Sequence, residues 1–442
     1  MTNDPDAVLS RRALLATGTL ALTSSVAGCL GYTESDDDAD VPDIDTAALR
    51  ELDTEDVPAI PSPLPTEVTD EHFEAQRERT QELLEPIAED DISAVPNELI
   101  REDLANLVER AEDRLSSFDE TPTEEREFSA IRAARQAAGE ARGGYDAAST
   151  GRTYDDGMAD VEAFETEMTT FQNSLERTGN DVAEALVVYN EVEDHLVSGK
   201  EKLERLEILS PEASAFEAVS EIDRRVETAM SHLEVATHLD EQYDGEETHS
   251  DQFETAANAL TETLNDRLDD FSEGEFEDVS KALFDELVDE TPRERVVHLA
   301  MNTKRGEEAL QELLVDGFVA RATVRAFTLL RDSDAIEPLR DRAGDGYLDR
   351  PESVEDISAL RDDALDAIEN QQGTEGRKPL VETGLIDAIE GIYLADTNRE
   401  QIASPRHDAL EISRVTGRYA VAAERARAVP EAVSELQDAL EA

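Results

Sequence analysis

Residues 341–352 hold the side chains of this sequence that are best suited to binding a metal ion. Carboxylates recur at spacings of four, four and three residues around a central glycine, and they belong to Asp341, Asp345, Asp349 and Glu352. Calcium prefers carboxylate and carbonyl oxygens, and a glycine permits the sharp turn that wraps a short loop around the ion. These four side chains and the backbone carbonyl of Tyr347 therefore form a candidate calcium site.

The same segment resembles the twelve-residue EF-hand loop, with aspartate at positions 1, 5 and 9, glycine at position 6 and glutamate at position 12. Two residues depart from that pattern. Ala343 offers no ligand at position 3, and Pro338 is expected to shorten the helix that leads into the loop. Because 107 of the 442 residues are acidic, partial matches of this kind arise easily. A plain acidic turn between two helices is therefore the favoured interpretation of this segment, and the calcium site is the alternative.

Two pairs of closely spaced arginines place positive charge in a chain whose net charge is negative. Arg321 and Arg325 are spaced one helical turn apart, and so are Arg414 and Arg418. If the helices that carry them pack together, four guanidinium groups would line a pocket for a carboxylate or phosphate ligand, whose oxygens match their planar donors. The alternative is that each arginine pairs with one of the abundant aspartates and glutamates.

Motifs of the common catalytic sites are missing from the sequence. It contains no HExxH zinc motif, no GxSxG nucleophile motif, no phosphate-binding loop and no GxGxxG dinucleotide motif. The single cysteine, Cys29, permits no disulfide within the chain. We therefore favour a non-enzymatic protein without a cofactor other than calcium, while an enzyme whose site is assembled from scattered helices stays open.

The N-terminal residues contain two motifs that bear on the location of the protein. Arg11 and Arg12 precede an apolar stretch over residues 13–27, which is too short and too polar to span a membrane, and Val-Ala-Gly then leads to Cys29. The first feature resembles the twin-arginine (Tat) export signal, although Ala13 departs from it, and the second resembles a lipobox. The resemblance implies that residues 1–28 are removed, that Cys29 is lipidated, and that the protein is held at the outer face of the cell membrane.

Composition indicates a salt-adapted origin. The net charge is −67, and only five of the 40 basic residues are lysines. Such heavy acidic loading is tolerable where molar salt shortens the Debye length to about 3 Å. The charge argues against a nucleic-acid partner, since phosphate recognition requires basic surfaces. The chain resembles the uncharacterised lipoproteins of salt-loving archaea.

Apolar residues recur at helical spacing through most of the chain after residue 69. Val161, Phe164, Met168 and Phe171 are one example of residues that step by threes and fours. The predicted fold class is all-α, a bundle of long amphipathic helices with little or no strand. The predicted divisions are a signal peptide (1–28), a lipidated, acidic and proline-rich tether (29–69), an acidic long-helix region (70–273) and a more apolar helical unit (274–442).

These features favour a lipid-anchored extracellular helical protein of a halophile that binds a ligand or acts as a scaffold. One alternative is a solute-binding or sensory component that recognises an acidic ligand through the four arginines. The other alternative is an enzyme with an unrecognised site. The only partner that the sequence specifies is the membrane, through the lipid on Cys29.

Overall fold

A computed structural model gives the fold of the protein, and it describes residues 44–52, 57–66, 68–87, 92–117, 124–208, 214–243, 245–268, 274–288, 291–372, 378–402 and 405–442. The predicted export motif at Arg11 and Arg12 and the predicted lipidation site at Cys29 lie outside these residues. No helix within the described ranges is both long enough and apolar enough to cross a membrane.

The described residues are almost entirely helical, and the predicted all-α class is confirmed. The helices are α1 (Thr46–Arg50), α2 (Asp70–Leu84), α3 (Glu98–Ser117), α4 (Glu124–Ser149), α5 (Tyr154–Ser174), α6 (Val182–Glu204), α7 (Ala215–Gln242), α8 (Ser250–Leu268), α9 (Phe276–Phe284), α10 (Glu294–Val315), α11 (Val319–Gly344), α12 (Val354–Gln372), α13 (Lys378–Gln401) and α14 (Pro405–Glu441). Two short strands, β1 (Thr178–Gly179) and β2 (Glu247–Thr248), pair antiparallel.

The chain divides into two compact units. The first comprises Thr66–Glu176 and Glu191–Asp244, and the second comprises Arg177–Asn190 and Gly245–Ala442 with the described residues before Thr66. The division thus falls near residue 244, whereas composition suggested one at residue 273, between regions 70–273 and 274–442. The difference arises because α8 packs against α11 and α14 of the second unit.

In the first unit, local side chains fix where helices begin. Thr153 and Asp156 form a capping box at the start of α5, and Ser214 and Glu217 form another at the start of α7. These reciprocal bonds satisfy backbone N–H groups that a helix start leaves without partners. Helix α4 packs most extensively on α7, and its glycines permit a close approach of the two backbones.

The second unit has a core of aliphatic and aromatic side chains from α8, α10, α11, α13 and α14. Phe253, Phe318, Phe327 and Tyr419 are all fully buried there. Helix α11 lies centrally, since it packs on α8, α10 and α14. Burial of such large side chains stabilises the unit by roughly 1.5–3 kcal/mol each.

Candidate functional site

The segment predicted to bind calcium is helical over its first third. Helix α11 continues through Pro338 to Gly344, so the expectation that Pro338 shortens this helix was wrong. Proline removes one backbone hydrogen bond, but Ile336 and Leu339 are buried on either side of it and hold the helix in place. Asp341 therefore lies in the last helical turn, exposed, rather than at the start of a loop.

The remaining predicted ligands point to other partners or to solvent. The carboxylate of Asp349 accepts a hydrogen bond from Arg293 at 2.7 Å. Asp345 and Glu352 are exposed. In the part of the chain that the structure describes, no three His, Cys, Asp or Glu side chains are grouped to hold a metal ion. Calcium binding by Asp341, Asp345, Asp349, Glu352 and the Tyr347 carbonyl stays a prediction.

The four arginines of the predicted anion pocket lie on two helices. Arg321 and Arg325 are in the first turns of α11, and Arg414 and Arg418 are in the first half of α14. Arg414 donates a hydrogen bond to Glu411, one turn away, at 2.6 Å. This pairing matches the alternative interpretation of that arginine as part of a helix-surface ion pair.

The direction of α11 relative to α14 keeps the two arginine pairs apart. Arg267 contacts both Asp334 of α11 and Glu435 of α14, while Arg342 of α11 contacts Glu424 of α14. From the first contact to the second, the residue number rises on α11, from 334 to 342, and falls on α14, from 435 to 424. The two helices are therefore antiparallel. Residues near the start of each helix therefore lie at opposite ends of the pair. The structure does not bring the four guanidinium groups to a common pocket.

A different site is present in the first unit, as a cleft of about 490 Å³. This volume is within the range of small-molecule sites, roughly 300–1,000 Å³. Helices α2, α4, α5 and α7 contribute most of its walls. The lining residues are Arg79, Glu82, Leu83, Arg142, Asp146, Arg152, Asp160, Ala163, Phe164, Glu167, Asp223, Val226, Glu227 and Met230.

The charges along this cleft do not balance. Three of its lining residues are arginines and six are aspartates or glutamates, against five apolar residues. Phe164 is almost fully buried beneath the surface, and Asp160 is exposed at the rim. The cleft therefore combines an apolar wall with an excess of negative charge, which is the complement of a small organic cation.

Asp223 lies at one end of the cleft in a nearly buried position. Arg152 donates to Asp223 at 2.5 Å and to Asp160 at 2.5 Å, so one guanidinium bridges two carboxylates. The pKa of Asp223 is raised to about 6, chiefly by burial and also by the neighbouring carboxylates of Asp146 and Glu227, against the opposing effect of Arg152. The ionised form of Asp223 is thus incompletely compensated, because a single arginine is shared and two other carboxylates are close.

One helical turn after Asp223 on α7, Glu227 belongs to a network around the fully buried Arg135. Arg135 Nε donates to Glu227 at 2.9 Å, and its Nη1 and Nη2 donate to Glu234 at 2.5 and 2.9 Å. Gln76 accepts a second bond from Nη1 at 2.7 Å, and Arg79 donates to Glu227 at 2.5 Å. Every edge of the Arg135 guanidinium is therefore occupied, and Glu227 is shared by two arginines.

His72 borders this network without adding a charge to it. Its ring lies 4.7 Å from that of His238, measured between centroids. The pKa of His72 is lowered to about 4, chiefly by burial and also by His238, against the opposing effect of Glu234. His72 is therefore neutral at physiological pH, and the cations that face Glu227 and Glu234 are Arg135 and Arg79.

Sequence reasoning did not identify Arg135, Asp223 or Glu227. A third of the residues are charged, so an individual arginine or aspartate cannot be distinguished from the others by its residue type. The sequence around Arg135 does contain a sign of close helix packing. Residues 130–148 are rich in alanine and glycine, and Gly139 and Gly143 are spaced by one helical turn. Small residues at that spacing indicate close helix packing, and a charge within such a segment is a candidate for burial.

Comparison with known proteins gives two adjoining matches to families. Residues 71–251 match the family described as Domain of unknown function (DUF8262), and residues 250–438 match the family described as Domain of unknown function (DUF8264). The two matches meet close to the division between the units near residue 244. No curated protein and no solved structure matches the chain.

Proposed function

We propose that this chain is an exported, lipid-anchored binding protein of a salt-adapted archaeon, and that its first unit binds a small organic cation. The cleft of the first unit carries the proposal, because it sets six carboxylates against three arginines beside an apolar wall. The export and lipidation motifs at Arg11, Arg12 and Cys29 support the proposed location, and the charge of −67 supports the proposed environment.

The proposed ligand class follows from the state of Asp223. Its side chain is only 13% exposed, and Arg152 divides its donors between Asp223 and Asp160. A protonated amine placed beside Asp223 would supply the positive charge that this carboxylate lacks, while an alkyl chain would cover Phe164 and Met230. An acidic ligand would instead add a negative charge to a cleft that already has an excess.

Butylamine is therefore expected to bind the full chain in molar potassium chloride, and butyrate of the same carbon length is not. Replacing Asp223 with asparagine should weaken butylamine binding by about tenfold or more, since a charge-assisted hydrogen bond contributes roughly 1.5–3 kcal/mol. Isothermal calorimetry measures both affinities. Glu162→Gln, which neutralises an exposed carboxylate on α5, serves as the matched control and should bind like the native protein.

The affinity for butylamine should also depend on pH. Asp223 is protonated below a pKa of about 6, so binding should strengthen as the pH rises from about 5 to about 8. An alkylamine, whose pKa is near that of lysine at about 10.4, stays charged throughout this range. Asp223→Asn should remove the pH dependence. Equal heats for butylamine and butyrate, or an unchanged pH profile in Asp223→Asn, would exclude this cleft as a cation site.

The proposed anchor predicts a change in cell fractionation. Cys29→Ser should leave an unlipidated protein in the medium or an uncleaved precursor, because the lipid chains provide the attachment. Arg11→Lys combined with Arg12→Lys should block export. Membrane and medium fractions are compared by immunoblotting, with Ser35→Ala as a control that should fractionate like the native protein. Equal membrane retention of the native and Cys29→Ser proteins would remove the lipid anchor from the proposal.

A further inference from the structure

Arg399, in the last turn of α13, differs from the other fully buried arginines in its partners. Arg135 and Arg331 are also completely buried, and each contacts two carboxylates. Arg399 donates one hydrogen bond from Nη2, to the backbone carbonyl of Leu52 at 3.0 Å. Its Nε and Nη1 atoms are buried and have no hydrogen-bond partner among the described residues. Among the described residues, the guanidinium charge is thus met by a single neutral acceptor.

The buried acidic side chain one helical turn before Arg399 does not serve it, and the adjacent Glu400 is exposed. Asp396 lies one turn earlier on α13, and it accepts the Tyr419 hydroxyl proton at 2.5 Å. The same carboxylate accepts three bonds from Arg361, at 3.1 to 3.2 Å. Both oxygens of Asp396 are therefore used by other donors, and Arg361 already neutralises its charge.

A buried guanidinium in this state needs a negative charge beside it. Arginine does not lose its proton in proteins, so it cannot relieve the cost of burial by becoming neutral. Leaving a buried charge uncompensated is strongly destabilising. The partial negative charge at the end of α13 offsets only a small part of that cost. Two unsatisfied N–H-bearing nitrogens also require acceptors.

We propose that Arg399 binds a chloride ion inside the second unit, with Nε or Nη1 as the donor. Arg399 has no exposed surface, and such a buried guanidinium favours a small monovalent anion over a larger carboxylate or phosphate ester. Chloride accepts hydrogen bonds from any direction, so a single donor edge of the guanidinium is enough to orient it. The ion acts as a structural counter-charge that ties α13 to the segment carrying Leu52.

The test exchanges chloride for gluconate, which is too large for the site, at constant potassium concentration. The melting temperature of the full chain should fall by about 3–6 °C for each tenfold decrease in chloride above the dissociation constant. Arg399→Met keeps the bulk and removes the charge, and it should melt at the same temperature in both salts. Arg340→Met, at a half-exposed site on α11, should retain the native response. Broadening of the chloride NMR line by the native protein, and not by Arg399→Met, provides a second readout.

A counter-charge from the chain itself is the competing explanation. Leu52 is followed by Asp53, Glu55 and Asp56, and the triple variant Asp53→Asn, Glu55→Gln, Asp56→Asn neutralises them. If chloride is the counter-ion, this variant should keep the chloride response. A native protein that melts at the same temperature in chloride and in gluconate would overturn the proposal, and this result does not depend on any variant being able to fold.

Discussion

Replacing Arg135 with methionine should lower the free energy of unfolding by about 3–5 kcal/mol, the cost of breaking a buried ion pair by removing one partner. Arg135 is fully buried and holds Glu227 and Glu234 at once. Without it, Glu227 keeps only Arg79, whose side chain is partly exposed. Urea unfolding in molar potassium chloride, followed by helical circular dichroism, measures the change.

Arg110→Met is the matched control for this experiment. Arg110 lies on α3 in the same unit, with its side chain 46% exposed and its nearest carboxylate, Glu140, at 3.6 Å. An ion pair of this kind contributes at most about 1 kcal/mol, so the control should unfold nearly like the native protein. Adding Glu227→Gln to Arg135→Met should restore part of the lost stability, because the uncompensated carboxylate is then gone. Equal effects of Arg135→Met and Arg110→Met would show that the buried network does not hold the first unit together.

The helices of this protein could be predicted because the spacing of the apolar residues alone identifies the buried face of each helix. Val161, Phe164 and Met168 recur at helical spacing in the sequence, and all three are buried along α5. The high charge did not obscure this pattern, because the charged residues occupy the opposite faces. Fold class depends on this local signal, so it could be determined without knowing which helices are neighbours.

The pairing of helices could not be obtained in the same way. The apolar stripe of α8, with Phe253, Leu260 and Leu264, predicts that one face is buried but does not specify the partner. Composition placed α8 with the acidic region, whereas its contacts are with α11 and α14. The predicted pocket of Arg321, Arg325, Arg414 and Arg418 depended on the same missing information. Side chains on two helices converge only if the helices run in the required directions.

The cleft shows why charged sites are hard to find in an acidic sequence. Asp223 differs from most other aspartates of the chain by its partial burial and by its neighbours Asp146 and Glu227, and its local sequence indicates neither property. The informative residues are the small ones beside it, since Gly139 and Gly143 let α4 and α7 approach closely. A search for small residues at helical spacing, followed by the charges between them, would have selected Arg135 and Arg142 on α4.

Gly143→Ala is expected to destabilise the first unit and weaken the binding of butylamine. A Cβ atom at this position would lie 2.6 Å from the Val219 backbone carbonyl oxygen and 2.9 Å from the Asp223 side chain. A backbone atom cannot move aside as a flexible side chain can, so α4 and α7 must separate. Overpacking of this kind costs about 1–3 kcal/mol, which exceeds the gain of up to about 1 kcal/mol in helix propensity.

The same substitution at Gly344 separates the steric effect from the change in helix propensity. Gly344 is the last residue of α11, and an added Cβ atom there would meet no atom within 4 Å. Gly344→Ala should therefore leave stability unchanged or raise it by up to about 1 kcal/mol, while Gly143→Ala lowers it. Because Asp223 lies directly against Gly143, separation of the helices should also displace the carboxylate proposed to bind the amine. Urea unfolding and butylamine calorimetry on the two variants measure both effects, and a Gly143→Ala protein as stable as Gly344→Ala would contradict the close packing of α4 on α7.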